Sequence, residues 1–312
     1  MFSVFLRVLC VLFVSLCLSG CLAPTASPDS FTFAIIGDAP YKSREEPHFE
    51  RMMERIDRED VAFTIHVGDI GAGGVACSDA YYEKSLRRFE RSRAPLIYTP
   101  GDNEWTDCRG ARFDPLERLK RLRAIFFEDE YSLGRTKMRT EVQQDPAAEC
   151  GAYPENRAWS RSGVRFVTIN VPGSNNNMGV DARSDAEAKC RDEANRRWVD
   201  RAVAASEGPD TRALVIAMQA NPWYTTRKVY GPTLATIENA ARKLRKPVLL
   251  VHGDTHNYRV DMPFADALGA PLANLTRVET YGSPIVGWVK VTVDPADPKL
   301  FGFAPHIQGV VP

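Results

Sequence analysis

Short apolar runs alternate with charged, amphipathic stretches along most of the chain. FTFAII (31–36), VAFTIHV (61–67), PLIYT (95–99), VRFVTIN (164–170), LVIAM (214–218) and PVLLVH (247–252) are near-continuous hydrophobic runs. Such runs mark strands covered on both faces, because each face must then be apolar. Between them lie helical patterns. Residues 45–58 place Phe49, Met52, Met53 and Ile56 at helical spacing, and 79–93 do the same with Tyr82, Leu86 and Phe89. Asp114 and Pro115 start LERLKRLRAIFF, 184–206 carry Trp198, Val199 and Val203, and Pro232 or Thr233 opens TLATIENAARKL. Strand–helix alternation predicts an α/β fold with a largely parallel sheet. RVETYG (277–282) and WVKVTVD (288–294) alternate apolar and polar residues with no helix between them, the pattern of antiparallel strands completing a sheet. Residues 131–160 show neither period and read as a long loop or a small insertion.

The first twenty residues stand apart from this pattern. Arg7 is their only charged side chain, ahead of a run of Val, Leu, Phe and Cys that closes on Leu18-Ser19-Gly20-Cys21. A weakly basic start, an apolar stretch and small residues before a cysteine make a signal segment. It resembles a bacterial lipoprotein signal, with Cys21 as the lipidated first residue of the mature protein. Residues 1–20 are then expected to be removed, 21–30 to act as a tether, and 31–312 to fold as one domain. That implies a membrane-anchored protein of the bacterial cell envelope, facing the periplasm or the exterior.

Composition changes the picture little. At 44% hydrophobic and 26% charged residues, with 40 basic and 40 acidic side chains, the chain is an ordinary globule. No basic excess argues for nucleic acid. Cysteine usage agrees with export. Beyond the signal and Cys21 remain Cys77, Cys108, Cys150 and Cys190, an even number that allows three pairings in an oxidising compartment. Cys77 follows Asp69 by eight residues and Cys108 follows Asp102 by six, so both lie on loops leaving one sheet edge. The expected bridges are Cys77–Cys108 and Cys150–Cys190.

The chemistry concentrates where the strands end. The first three runs lead into Gly37-Asp38, Gly68-Asp69 and Gly101-Asp102-Asn103-Glu104. The fourth ends at Asn170, the fifth at Gln219 with Asn221 close behind, and the sixth at Gly253-Asp254-Thr255-His256. A single strand-end aspartate is commonly a helix cap. Four Gly-Asp pairs at four strand ends have another reading, because ligands of open α/β sheets bind at the carboxyl ends of strands. Glycine permits the sharp turn that brings each carboxylate over the sheet edge. Asp38, Asp69, Asp102 and Asp254 gathered there repel one another unless a divalent cation sits among them.

In order and spacing, GDAPY, GDI, GDNEW, MQANPW and HGDTH resemble the successive motifs of the calcineurin-like metallophosphoesterases. The resemblance spans nearly the whole mature chain. It implies a two-sheet β-sandwich flanked by helices (α/β/β/α). It also implies a metal centre in which Asp69 bridges two ions, Asp38 and His256 hold one, and Asp102 helps hold the other. Four family histidines are replaced here, by Pro40, Asn103, Gln219 and Asp254. The candidate ligands are therefore Asp38, Asp69, Asp102, Gln219, Asp254 and His256, an oxygen-rich set that suits one or two Mn²⁺, Mg²⁺ or Ca²⁺ ions better than zinc.

The implied reaction is attack of metal-activated water on a small phosphate mono- or diester. Asn103 stands in the place of the histidine beside the leaving group, so a good leaving group or another acid is required. His252 is the candidate acid, with His66 the other histidine near a strand end; either can instead be a buried, hydrogen-bonded support. VPGSNNN (171–177) and the residue behind the fifth strand supply candidate substrate contacts, Asn175, Asn176 and Asn221. Trp105 and Trp223 flank the motifs and serve either stacking or packing. The alternative to an enzyme is a protein of the same fold that has lost turnover and binds a ligand or partner in the envelope.

Overall fold

The computed structural model describes residues 27, 29–145, 150–224, 227–265 and 268–311. The expected signal (1–20), Cys21 and most of the tether lie outside the described residues. In chain order the strands are β1 (Phe31–Ile36), β2 (Thr64–His66), β3 (Leu96–Tyr98), β4 (Glu141–Gln144), β5 (Ala152–Arg161) and β6 (Val164–Thr168). They continue as β7 (Ala213–Ala217), β8 (Val248–His252), β9 (Arg259–Asp261), β10 (Leu275–Glu279), β11 (Ile285–Val293) and β12 (Phe301–Val310). The principal helices are α1 (Glu46–Arg58), α2 (Asp79–Phe89), α3 (Pro115–Phe126), α4 (Ala182–Ala205) and α5 (Arg227–Leu244).

Two sheets result, one ordered β12-β11-β1-β2-β3 and the other β4-β5-β6-β7-β8-β10-β9. Strand parity explains how they stack. In β1, Phe33 and Ile35 join Val215, Leu249 and Val251 of the other sheet in a central core. Ala34 and Ile36 point the opposite way, onto Phe49, Met52, Met53 and Ile56 of α1. The second sheet does the same with Leu214 and Ile216 of β7, which pack on Trp198 and Val199 of α4 and Ile237 of α5. Both faces of both sheets are thus covered, giving helices, sheet, sheet and helices in four layers. An aromatic cluster joins the inner faces: Phe33 stacks on Phe63 at 5.3 Å, and Trp159 stacks on Phe166 at 5.2 Å. The helices start where side chains cap them, Ser78 for α2, Asp114 for α3 and Asp181 for α4.

Three expectations need correction. Residues 131–160 are not a loop or insertion; they include β4 and β5, which extend the second sheet beyond β6. The second sheet's β10 is not antiparallel to its main neighbour: it runs parallel to β8, and β11 lies in the other sheet, antiparallel to β1. The fifth helix does not begin at Pro232 or Thr233. It extends back to Arg227 with Pro232 inside its first turns, where the missing N–H forfeits a single backbone bond. Both expected cysteine pairs are in place, with Cα separations of 5.6 Å for Cys77–Cys108 and 5.3 Å for Cys150–Cys190.

Candidate metal centre

The carboxyl ends of β1, β2, β3, β7 and β8 meet at one edge of the sandwich. Asp38, Asp69, Asp254 and His256 all adopt positive φ, at 52°, 57°, 79° and 63°. For residues with a side chain this conformation costs on the order of 1–2 kcal/mol each, so the surrounding contacts must hold it. Glycine makes the approach feasible. A Cβ on Gly101 would lie 2.1 Å from Asp69 Oδ1, and one on Gly253 would lie 2.1 Å from Asp38 Oδ2.

Asp38, Asp69 and His256 each offer a ligand atom, and the three atoms lie within 4.8 Å of one another. Asp38 is fully buried. Its Oδ1 accepts the Asp254 N–H at 3.0 Å, while its Oδ2 has no hydrogen-bond partner. Asp69 accepts from the Asn103 N–H at 3.1 Å and from the Tyr41 hydroxyl at 2.6 Å. His256 sets Nδ1 2.6 Å from the Ser283 carbonyl, so Nδ1 carries the proton and Nε2 presents a lone pair, 3.8 Å from Asp38 Oδ1.

Beside this triad, Gln219 donates to Asp102 Oδ1 at 2.9 Å and to Asp254 Oδ1 at 3.4 Å. The Asn221 N–H reaches Asp254 Oδ2 at 2.8 Å, and Ser174 Oγ lies 2.8 Å from Asp102 Oδ2. Among the described residues, no lysine or arginine pairs with any of the four aspartates. Burial, followed by the neighbouring Asp254, holds the Asp38 carboxyl well above the usual range; burial and Asp102 do the same to Asp69. Asp254 is pushed up to about 7 by burial and by Asp102. Concentrated negative charge without a protein cation is the electrostatic signature of a cation site.

The other candidates separate. Asn103 stands at the site through its backbone, with the Cys77–Cys108 sulfurs 3.7 Å from its carbonyl oxygen. His252 is buried on the helix side of β8, with Nδ1 2.8 Å from the Gly253 carbonyl and its ring 6.2 Å from Trp223. Burial lowers it to about 3, so the ring is neutral at physiological pH. His66 is likewise buried, among Phe49, Phe89 and Tyr98. Asn175 bonds the Met178 carbonyl and Asn176 is taken up by Arg191 and Asp192, so both side chains serve their own turn. Asn221 uses its amide group on Thr255. Trp105 packs beneath Arg191, and Trp223 packs against Phe264 and Arg277.

Two site residues, Tyr41 and Ser174, carry no ligand signal in the sequence, and a third, Glu104, stands there as one more strand-end oxygen. Tyr41 follows Asp38 by three residues and closes on Asp69. Glu104, in full view in GDNEW, is fully buried; its Oε1 accepts from the Gly101 and Asp69 N–H groups at 2.8 and 3.1 Å and from the Tyr98 hydroxyl at 2.5 Å. It ties the second and third strand-end loops together. Ser174, inside VPGSNNN, contacts Asp102 directly. A carboxylate placed immediately after two candidate ligand positions was the available signal for Glu104.

Two sheets flanked by helices form a metallophosphoesterase-like α/β/β/α fold. It is similar to a dimetal phosphatase from Danio rerio, with a TM-score of 0.54 and 11% identity over 90% of this chain and 97% of that one. It is also similar to a purple acid phosphatase from yellow lupin seeds, with a TM-score of 0.53 and 13% identity. There the match covers 92% of this chain and 53% of the lupin protein, so this chain corresponds to about half of that length. No family model matches the sequence, and no curated protein does. At these identities the likeness establishes the fold.

Proposed function

We propose that the protein is a metal-dependent phosphoesterase, tethered to a bacterial envelope membrane through Cys21. The observation that carries the reading is the Asp38–Asp69–His256 triad with an unpartnered, buried Asp38 Oδ2. A divalent ion fits this donor set: two carboxylates and an imidazole lone pair converge, and among the described residues no lysine or arginine pairs with them. The oxygen-rich surroundings suit Mn²⁺, Mg²⁺ or Ca²⁺. Such an ion, when bound, lowers the pKa of a coordinated water and offsets charge on the phosphoryl oxygens.

The chain's own groups do the rest. Asp38, Asp69 and His256 hold the cation, Tyr41 fixes the Asp69 carboxylate through its hydroxyl, and Ser283 fixes the tautomer of His256. The Asn103 side chain has no acidic proton to give, and His252 is buried on the helix side of β8. With no acid from either residue, the substrates expected are small phosphoesters with good leaving groups, acidic alcohols or phenols. The same two facts support a second reading, a fold that keeps the metal and a ligand without turnover. A phosphoester panel with added Mn²⁺ separates the two.

Asp69→Asn is the direct test of the centre. The amide keeps the shape, can still accept from the Asn103 N–H, and can donate to the Tyr41 oxygen. Metal affinity should fall by at least about 100-fold while the metal-free melting temperature holds or rises slightly. Calorimetric Mn²⁺ titration with parallel melting curves measures both. Unchanged metal binding would dismiss the centre; collapse of the metal-free protein would make Asp69 a structural cap. For the anchor, Cys21→Ser should abolish lipid labelling and release the protein from membranes. A variant still processed and membrane-bound would refute the lipid tether.

A further inference from the structure

We infer that the centre holds a single ion, because the side-chain amide of Gln219, backed by Ser174 and Gly173, occupies the place of a second one. This rests on the metal-centre reading above. The orientation of Gln219 is fixed by chemistry. Its Oε1 accepts the Gly173 N–H at 2.6 Å, so its Nε2 faces Asp102 and Asp254 and gives one proton to each. A ligating oxygen there would require the amide to flip, stranding the Gly173 N–H and bringing oxygen against two carboxylates.

The remaining oxygens on this side are also taken. Asp102 Oδ2 has the Ser174 hydroxyl at 2.8 Å, which also lies 2.5 Å from Asp107 Oδ1, and Asp254 Oδ2 has the Asn221 N–H at 2.8 Å. Space is closed as well. A Cβ on Gly173 would lie 2.8 Å from both Asp102 Oδ2 and Asp254 Oδ1, so the backbone itself forms a wall against the pair. By contrast, Asp38 Oδ2 has no hydrogen-bond partner among the described residues, and His256, with its proton at Nδ1, presents Nε2 as a lone pair 3.8 Å from Asp38 Oδ1. One side of the cluster asks for a cation; on the other, Asp102 Oδ1 and both Asp254 oxygens have N–H donors, and Asp102 Oδ2 shares the single Ser174 proton with Asp107. The protein from Danio rerio is a dimetal phosphatase. This chain replaces the second metal with hydrogen bonds, leaving Asp102 and Asp254 to orient Gln219 and the Gly173–Ser174 turn.

Mn²⁺ content and electron paramagnetic resonance of the full folded chain test this without reference to activity. The wild type should bind one ion per chain, with the hyperfine pattern of an isolated Mn²⁺. Gln219→Glu replaces the donor amide with a third carboxylate and should admit a second ion, weaker than the first and magnetically coupled to it. Gln219→Ala, which removes the amide without adding charge, should also raise the stoichiometry and covers the case in which the glutamate variant does not fold. Two coupled ions in the wild type would overturn the inference while sparing the metal centre. One ion in the wild type and in both variants would remove Gln219 from the role assigned to it. No ion in any of them would sink the metal-centre reading itself.

Discussion

Arg191→Met is expected to destabilise the protein by about 3–5 kcal/mol, the usual consequence of removing one partner from a buried ionic network. Arg191 is fully buried. Its Nε meets Glu187 at 2.8 Å, its Nη1 reaches the Asn170 carbonyl at 3.0 Å and Asn176 Oδ1 at 2.6 Å, and its Nη2 reaches the Asn176 carbonyl at 3.0 Å. Methionine fills the volume over Trp105 but satisfies none of these acceptors. The Asn176 carbonyl and side-chain oxygen would lose their Arg191 donor and Glu187 its ion pair, while the Asn170 carbonyl would keep only the Asn195 amide. The consequence extends to the site. Ser174, Asn175, Asn176 and Asn177 all have positive φ, between 43° and 63°, a run of left-handed residues where asparagine usually adopts that conformation only singly. Arg191 grips that turn at Asn176, and Arg109 grips it at Asn177 Oδ1 at 2.6 Å. Without Arg191 the turn should relax and take Ser174 off Asp102. Thermal melting should show a drop of roughly 6–15 °C for a domain of this size. A loss of only a degree or two would mean that the network is not what holds the turn.

Most of the fold was legible because its central strands are covered on both faces and so write themselves as unbroken apolar runs. What stayed hidden follows from the same logic. β5 is buried through polar residues: Asn156 bonds Gln143 and Asn195, and Glu155 pairs with Arg123. Its pattern therefore reads as loop. The direction of β10 is set by the path from β8 through β9, and side-chain alternation is identical for parallel and antiparallel pairing. The candidate ligands were visible as Gly-Asp pairs, but the histidines needed strand parity as well. Val248 and Leu250 of β8 face the helices while Leu249 and Val251 face the other sheet, so His252 must share the helix side. Ile65 and Val67 likewise belong to the central core, which sends His66 the other way. His256 lies beyond the strand, free of that constraint, and it is the histidine that reaches the aspartates. Gln219 could be placed at the site from the sequence; which end of its amide faces inward could not, because that depends on the Gly173 N–H.

The metal-free protein should lose stability as pH rises from about 4 to 7, and a divalent cation should remove that loss. In the fold Glu104 is pushed up to about 7, chiefly by burial, from an ordinary value of 4.5, and Asp254 reaches about 7. Asp38 and Asp69 are raised as well, also chiefly by burial. An acid whose folded pKa is raised keeps its proton in the native state after the unfolded chain has released it. Between the two pKa values the native state therefore binds more protons, and the slope of stability against pH is negative. For Glu104 and Asp254 the contribution is complete below about pH 4 and is gone once pH passes their folded values near 7. A bound cation takes the place of protons at Asp38 and Asp69, so metal affinity should rise with pH as these raised carboxyls ionise. Melting curves in chelator should fall by on the order of 5–10 °C between pH 5 and pH 8, and saturating Mn²⁺ should flatten them. Glu104→Gln isolates one contributor. Its amide oxygen can still accept from Gly101, Asp69 and Tyr98 but cannot titrate, so the chelated variant should show a shallower decline than the wild type. A metal-free melting temperature that instead climbs from pH 5 to pH 8 would contradict the raised carboxyls and, with them, the crowding of unneutralised charge from which the metal centre is inferred.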